Sequence, residues 1–164
     1  MVLRSTLISC LCLIPCCSTF AQDASPADQD LLAKSMKESG LIYTDIGRFY
    51  RLKFNYKEAG RQQYSFLRKR VDQYRSLSVQ EAYSMVYESK TPPSSEVTEK
   101  VFQKVLTIGG FILEEPGENQ EYWRIRFRIE VPTLSTPERV KAYISIVAGT
   151  ADQIEQELNK VDEL

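Results

Sequence analysis

The stretch WRIRFRIEV at residues 123–131 leaves the chain the least freedom. Trp123, Ile125, Phe127, Ile129 and Val131 alternate without a break with Arg124, Arg126, Arg128 and Glu130, and an extended chain turns its side chains to opposite sides at each step. The pattern predicts a strand with one face in a hydrophobic core and the other charged, as in an antiparallel sheet covered on one side. Pro132 ends it, because proline has no N–H to give to a ladder.

The rest of the chain supplies partners for that strand. From Arg48 onward Tyr50, Leu52, Phe54 and Tyr56 alternate with Arg51, Lys53 and Asn55, and a turn follows at 57–60. Residues 61–70, rich in β-formers around Tyr64, Phe66 and Leu67, predict a second strand, with Val71-Asp72-Gln73 as a break before a longer strand at 74–88. There Leu77, Val79, Tyr83, Met85 and Tyr87 share the odd positions and predict the covered face, with Glu81 interrupting at a bulge or an exposed point. Phe111, Ile112 and Leu113 predict a short strand before a turn at Pro116-Gly117-Glu118-Asn119.

Three helices complete the pattern. Ser25-Pro26-Ala27-Asp28 has the form of an N-cap, a first-turn proline and a capping-box acid; Leu31, Leu32, Ala33 and Met36 give an apolar side, and Gly40 a stop. Ser94 or Ser95 caps a second helix, in which Val97, Val101, Phe102, Val105 and Leu106 recur at helical spacing until Gly109-Gly110. Thr136-Pro137-Glu138 opens a third, with Val140, Tyr143, Val147, Ala151, Ile154, Leu158 and Val161 on one side; Gly149 is the expected kink and Thr150 the cap of a second half. The expected fold class is α+β: a single antiparallel sheet of about five strands with helices packed mainly on one face, in the order α-β-β-β-α-β-β-α.

The first residues restrict the chemistry. Residues 1–21 combine Arg4, an apolar run from Leu7 to Cys17 and small residues before a cut after Ala21, the form of a cleaved signal peptide. The run is shorter than the roughly 20 apolar residues that span a bilayer. Residues 22–27 then form a short tether to a domain at 28–164, and the expected location is periplasmic or secreted. The alternative is lipid anchoring through Cys16 or Cys17, since Leu13-Ile14-Pro15-Cys16 faintly resembles a lipobox. Val161-Asp162-Glu163-Leu164 resembles an endoplasmic-reticulum retrieval tail with valine in place of the first lysine. All four cysteines, Cys10, Cys12, Cys16 and Cys17, fall in the leader, and the chain has no histidine.

A mature chain without cysteine or histidine has no disulfide, no Ser–His or Cys–His nucleophile and neither favoured ligand of structural zinc. No catalytic, cofactor-binding or metal-ligating residue is expected. Gly109-Gly110 lack the spacing of a phosphate loop, and Glu114, Glu115, Glu118 and Glu121 lack that of a calcium loop. With 21 basic and 22 acidic residues the net charge is −1, which does not point to nucleic acid. The candidate partner-binding surface is the basic row Arg124, Arg126 and Arg128, joined by Arg51 and Lys53 from another strand. Guanidinium forks suit carboxylates and phosphates, although cross-strand acids such as Glu81 or Glu88 would instead make the row a solvated sheet face.

The aromatic strand FYRLKFNY, the pair QQYSFLRKRV and YRSLSVQEAYSMVYES, then FQKVLTIGGFILEE, and WRIRFRIEVP followed by TPERVKAYISIV together resemble the YbjN-like proteins, which share the fold of the type III secretion chaperones. The resemblance runs from Asp28 to Leu158. It implies a curved antiparallel sheet with helices on one face and a protein-binding or regulatory role, and it brings no catalytic residues. The expectation is an exported, non-enzymatic protein-binding or chaperone-like module of the bacterial envelope, with a protein partner or self-association as a homodimer, and no transmembrane segment in the mature chain. The alternative is a binder of an anionic small ligand or envelope polymer through the basic sheet face. A carboxylate-based enzyme ranks last.

Overall fold

The computed structural model describes residues 26–56, 60–118 and 120–159. The leader with Cys16 and Cys17, the Ser25 cap, residues 57–59, Asn119, Val161 and the acidic tail lie outside the described residues. Helix α1 is Pro26–Glu38, so the helix takes in the last two residues assigned to the tether. Gly40 ends it in the left-handed region at φ +76°. Its N–H donates to the Lys37 carbonyl at 3.1 Å and the Leu41 N–H to that of Met36 at 3.0 Å, the paired bonds that close a helix over a glycine.

Six antiparallel strands follow: β1 Tyr43–Asp45, β2 Phe49–Tyr56, β3 Arg61–Tyr74, β4 Leu77–Ser89, β5 Gly110–Glu114 and β6 Trp123–Pro132. They lie in the order β1-β2-β3-β4-β6-β5. Helix α2, Ser95–Phe102, carries the chain from β4 past β6 to the edge strand β5, and α3, Pro137–Asn159, follows β6. The expected class stands, with one strand more than expected. The addition is β1, a three-residue edge strand too short to show alternation in the sequence.

The core fills the space between the helices and one face of the sheet. Leu32 and Met36 of α1, Val97 and Val101 of α2, and Val140, Ile144, Val147, Ala151, Ile154 and Leu158 of α3 meet Leu52, Leu67, Ala82, Ile125, Phe127 and Ile129 from the strands. Phe127 is 1% exposed, so its burial alone stabilises the fold by about 1.5–3 kcal/mol. None of the described helices is long and apolar enough to cross a membrane.

Four local expectations require correction. Val71-Asp72-Gln73 is not a break: β3 pairs with β4 through Tyr74↔Leu77, and the chain reverses over Arg75-Ser76, with Arg75 at φ +56°. The sequence obscures this because a bulge between Leu67 and Val71 sets four steps of β3 against two of β4. The covered face of β4 is the even set around Ala82, Ser84 and Val86, not the odd set. Leu67↔Ala82↔Ile129 and Ser65↔Ser84↔Phe127 share that face, while Glu81, Tyr83 and Met85 lie opposite, and a second bulge between Met85 and Tyr87 returns Tyr87 to the covered side.

Helix α2 stops at Phe102, capped by Ser94 at its start, and Val105 is almost fully exposed. Gly109 therefore caps no helix. It sits at φ +81°, where a Cβ would lie 2.5 Å from the Arg128 carbonyl oxygen and 2.5 Å from Ile129 Cγ2, so the chain entering β5 presses its backbone onto β6. Finally, α3 runs unbroken through Gly149 and Thr150 for 23 residues.

Candidate functional site on the open face of the sheet

Among the described residues, no helix packs on the face of the sheet opposite the core. The register builds this face in rows. Arg51 lies beside Phe66, Phe66 beside Tyr83, and Tyr83 beside Arg128; one step along, Lys53 lies beside Tyr64, and Met85 beside Arg126. All five expected basic residues, Arg51, Lys53, Arg124, Arg126 and Arg128, are thus on one surface. Their environments differ sharply.

The β6 row is already engaged by acids of its own and neighbouring strands. Arg124 Nε donates to Glu88 Oε2 at 2.6 Å. Arg126 donates to Glu114 and lies 3.6 Å from Glu81, and Arg128 lies 3.8 Å from Glu81 and 3.6 Å from Glu130. Arg68 of β3 approaches the same Glu81 carboxylate at 3.7 Å. Glu81, whose side chain is 7% exposed, is therefore the hub of the face and not an interruption of a strand. Its Oε1 is buried with no hydrogen bond, as are Arg126 Nε and Glu130 Oε2. Burial raises the Glu130 pKa above the ordinary carboxylate range; Arg128 opposes this and Glu81 adds to it.

Aromatic rings occupy the middle. Tyr83 stacks on Phe66 with centroids 5.1 Å apart, receives the edge of Phe49 at 5.8 Å, and lies under the Arg126 guanidinium at 4.4 Å. Desolvation raises its phenol pKa, against the opposing pull of Arg126. Arg51 stands over Tyr64 at 5.5 Å, and neither Arg51 nor Lys53 forms an ion pair with a described residue. The surface available to a partner is therefore the β2–β3 part: exposed Arg51, Lys53 and Tyr64 beside half-buried Phe66.

A second polar group lies under the sheet and has no counterpart in the expectations. Arg61 forms a two-pronged bond to Asp152, 3.0 Å on each arm, and Gln156 donates to the same carboxylate. Gln63 donates to the Met85 carbonyl and to Glu155. Burial, with Asp152 adding, pushes the Glu155 pKa up to about 7, against the Gln63 hydrogen bond. Glu155 and Glu88 both line a cleft of about 280 Å³ with Tyr87 and Leu158. The available sequence signal was Asp152 itself, which falls on the apolar stripe of α3 between Ala148 and Ile154. Among the described residues no group of three or more carboxylates converges as a metal site. Comparison of the chain with protein-family models, curated proteins and solved structures finds no match in any of the three.

Proposed function

We propose that the chain is an exported, non-enzymatic binding module that receives a protein partner on the open face of its sheet. One observation carries this reading: an uncovered sheet face on which Arg51, Lys53 and Tyr64 stay exposed around the Phe66–Tyr83 stack. Aromatic and arginine side chains in that setting offer large contact area and charge-assisted bonds together. The partner segment would bring carboxylates to Arg51 and Lys53 and an apolar side chain to Phe66. The resemblance to YbjN-like proteins supports the same class of function. The anionic-ligand alternative at Arg124, Arg126 and Arg128 loses ground, because Glu88, Glu114, Glu81 and Glu130 already neutralise that row.

Site-specific photocrosslinking in envelope preparations tests it. A crosslinking amino acid at Tyr64 is expected to capture a discrete protein, and the same probe at Lys141, exposed on α3, is not. Arg51→Glu with Lys53→Glu should abolish the Tyr64 product while circular dichroism stays unchanged. Equal products from both positions, or a Tyr64 product indifferent to charge reversal, would exclude this face. Export is checked by intact mass: envelope-fraction protein should begin near Gln22, and a full-length cytosolic chain would reject it.

A further inference from the structure

The short edge strand β1 brings two large apolar side chains to the open face. Leu41 and Tyr43 turn inward and pack against the core, so the extended chain turns Ile42 and Thr44 to the other side. Thr44 lies beside Arg51, and one step past the Tyr43↔Leu52 pair puts Ile42 beside Lys53. The Ile46 N–H donates to the Phe49 carbonyl at 3.0 Å, which seats Ile46 beside a ring of the open face. Ile42 is 89% exposed and Ile46 41%. Scattered apolar residues on a surface need no explanation, but these two bracket the cations Arg51 and Lys53.

Charge is distributed unevenly over the face. Arg68, Arg124, Arg126 and Arg128 each form an ion pair with an acid of the sheet. Arg51 and Lys53 pair with no acid among the described residues, and Arg51 stands over the Tyr64 ring instead. A segment lying over β1, β2 and β3 therefore meets two cations that the described part of the sheet leaves unneutralised, with Ile42 and Ile46 on one side of them and Tyr64 and Phe66 on the other.

The patch has the dimensions of a helix. β1 and β3 are two strand spacings apart, roughly 10 Å, which is about the diameter of an α-helix. Ile42 and Ile46 are four extended steps apart, about 13 Å, and helix residues i and i+8 are about 12 Å apart. The backbone argues the same way. The N–H and C=O groups of a sheet lie in its plane, so an extended segment resting on its face finds no ladder there, whereas a helix satisfies its own backbone. On the core side, β2 is covered in this manner: Tyr50 and Leu52 share the core with Leu32 and Met36 of α1, spaced i and i+4.

We infer that the protein partner docks here as an acidic amphipathic helix, which rests on the open-face reading above and names the class of its partner. Carboxylates along the helix meet Arg51 and Lys53, and its apolar stripe is anchored by Ile42 and Ile46. Fluorescence anisotropy on the purified chain tests this with labelled peptides of roughly five helical turns. One is a leucine–glutamate amphipathic helix, one its leucine–lysine counterpart, and one the glutamate peptide with central prolines that break the helix. The glutamate helix should bind saturably and the other peptides at least about tenfold more weakly. Ile42→Ser with Ile46→Ser should weaken the glutamate helix by a similar factor, with circular dichroism unchanged.

Arg51→Glu with Lys53→Glu should invert the order, making the lysine helix the tighter ligand. Equal affinity for the two helices, or an order that charge reversal leaves unchanged, would overturn the helix as partner. So would a proline-broken peptide that binds as tightly as the intact one. The open-face reading fails separately, through a Tyr64 crosslink that is absent or indifferent to charge reversal. A charge-dependent Tyr64 crosslink without binding of the glutamate helix strikes the helix alone.

Discussion

Glu81 shows how much one buried charge controls on this face. Removing one partner of a buried ion cluster leaves the others uncompensated, which costs about 3–5 kcal/mol, whereas exposed pairs contribute about 0–1 kcal/mol. Glu81→Gln would leave Arg68 without its acid and Arg126 and Arg128 with only Glu114 and Glu130, with the Arg126 side chain only 16% exposed. Urea denaturation should show a loss of about 3 kcal/mol for Glu81→Gln and under about 1 kcal/mol for Arg128→Gln, whose side chain is 39% exposed. Similar losses would mean that the hub is solvated. Across the same strand, Phe127→Ala should cost about 3–5 kcal/mol by emptying the core.

Glu155 gives the fold a pH dependence of definite sign. Its folded pKa of about 7 lies above the ordinary 4.5, so between those values the folded chain holds a proton that the unfolded chain has released. Its contribution to stability falls as pH rises through that window and stays low above it. Glu155→Gln keeps an acceptor for Gln63 and should raise the melting temperature at pH 8 relative to the parent, by a few degrees or on the order of 1 kcal/mol after screening on its exposed side. At pH 4 the two should melt alike; a gap that does not change with pH would refute the titration. Neither residue's role was legible from spacing. Glu81 broke an odd-numbered apolar series on the uncovered face, while the covered face reads Ala82 and Ser84, small residues over which α3 passes.

At the level of elements, Gly109, expected to stop α2, and Gly149, expected to kink α3, do neither, and their surroundings in the structure differ. Gly109 combines a left-handed backbone with contact onto β6, so Gly109→Ala should lose at least about 2 kcal/mol from conformation and displacement of the β5 edge. Gly149 lies inside α3, where a Cβ would meet nothing nearer than the Tyr56 hydroxyl at 4.0 Å. Gly149→Ala should therefore stabilise the protein by about 0.5–1 kcal/mol, since alanine loses less backbone entropy in a helix. Thermal melts of the two variants should move in opposite directions. The helix starts and the Gly40 stop were legible because capping is local chemistry. The bulges at Leu67/Val71 and Met85/Tyr87 were not, because a bulge is defined only against its neighbouring strand.

For the molecule as a whole, the one-sided sheet followed from WRIRFRIEV, whose strict alternation allows a single covered face. Strand order did not: nothing local requires β6 to insert between β4 and β5. The candidate surface was half legible. The five cations do share a face, but only the register reveals which are neutralised. This architecture predicts a graded stability, because β2, β3, β4 and β6 have partners on both sides whereas β1 and β5 have one each. Amides in central strands exchange only when the whole fold opens, while edges open locally at lower free energy. Hydrogen exchange should find β4 and β6 slowest and three-residue β1 at least about 2 kcal/mol below the global value. The same measurement separates two modes of binding. A partner lying on the side chains of Arg51, Tyr64 and Phe66 leaves the edges fast, whereas one adding a strand would slow β1 or β5 selectively. Edge amides as slow as those of β4 in the purified chain would mean that a second molecule already covers that edge, and would move the partner site from the face to the rim.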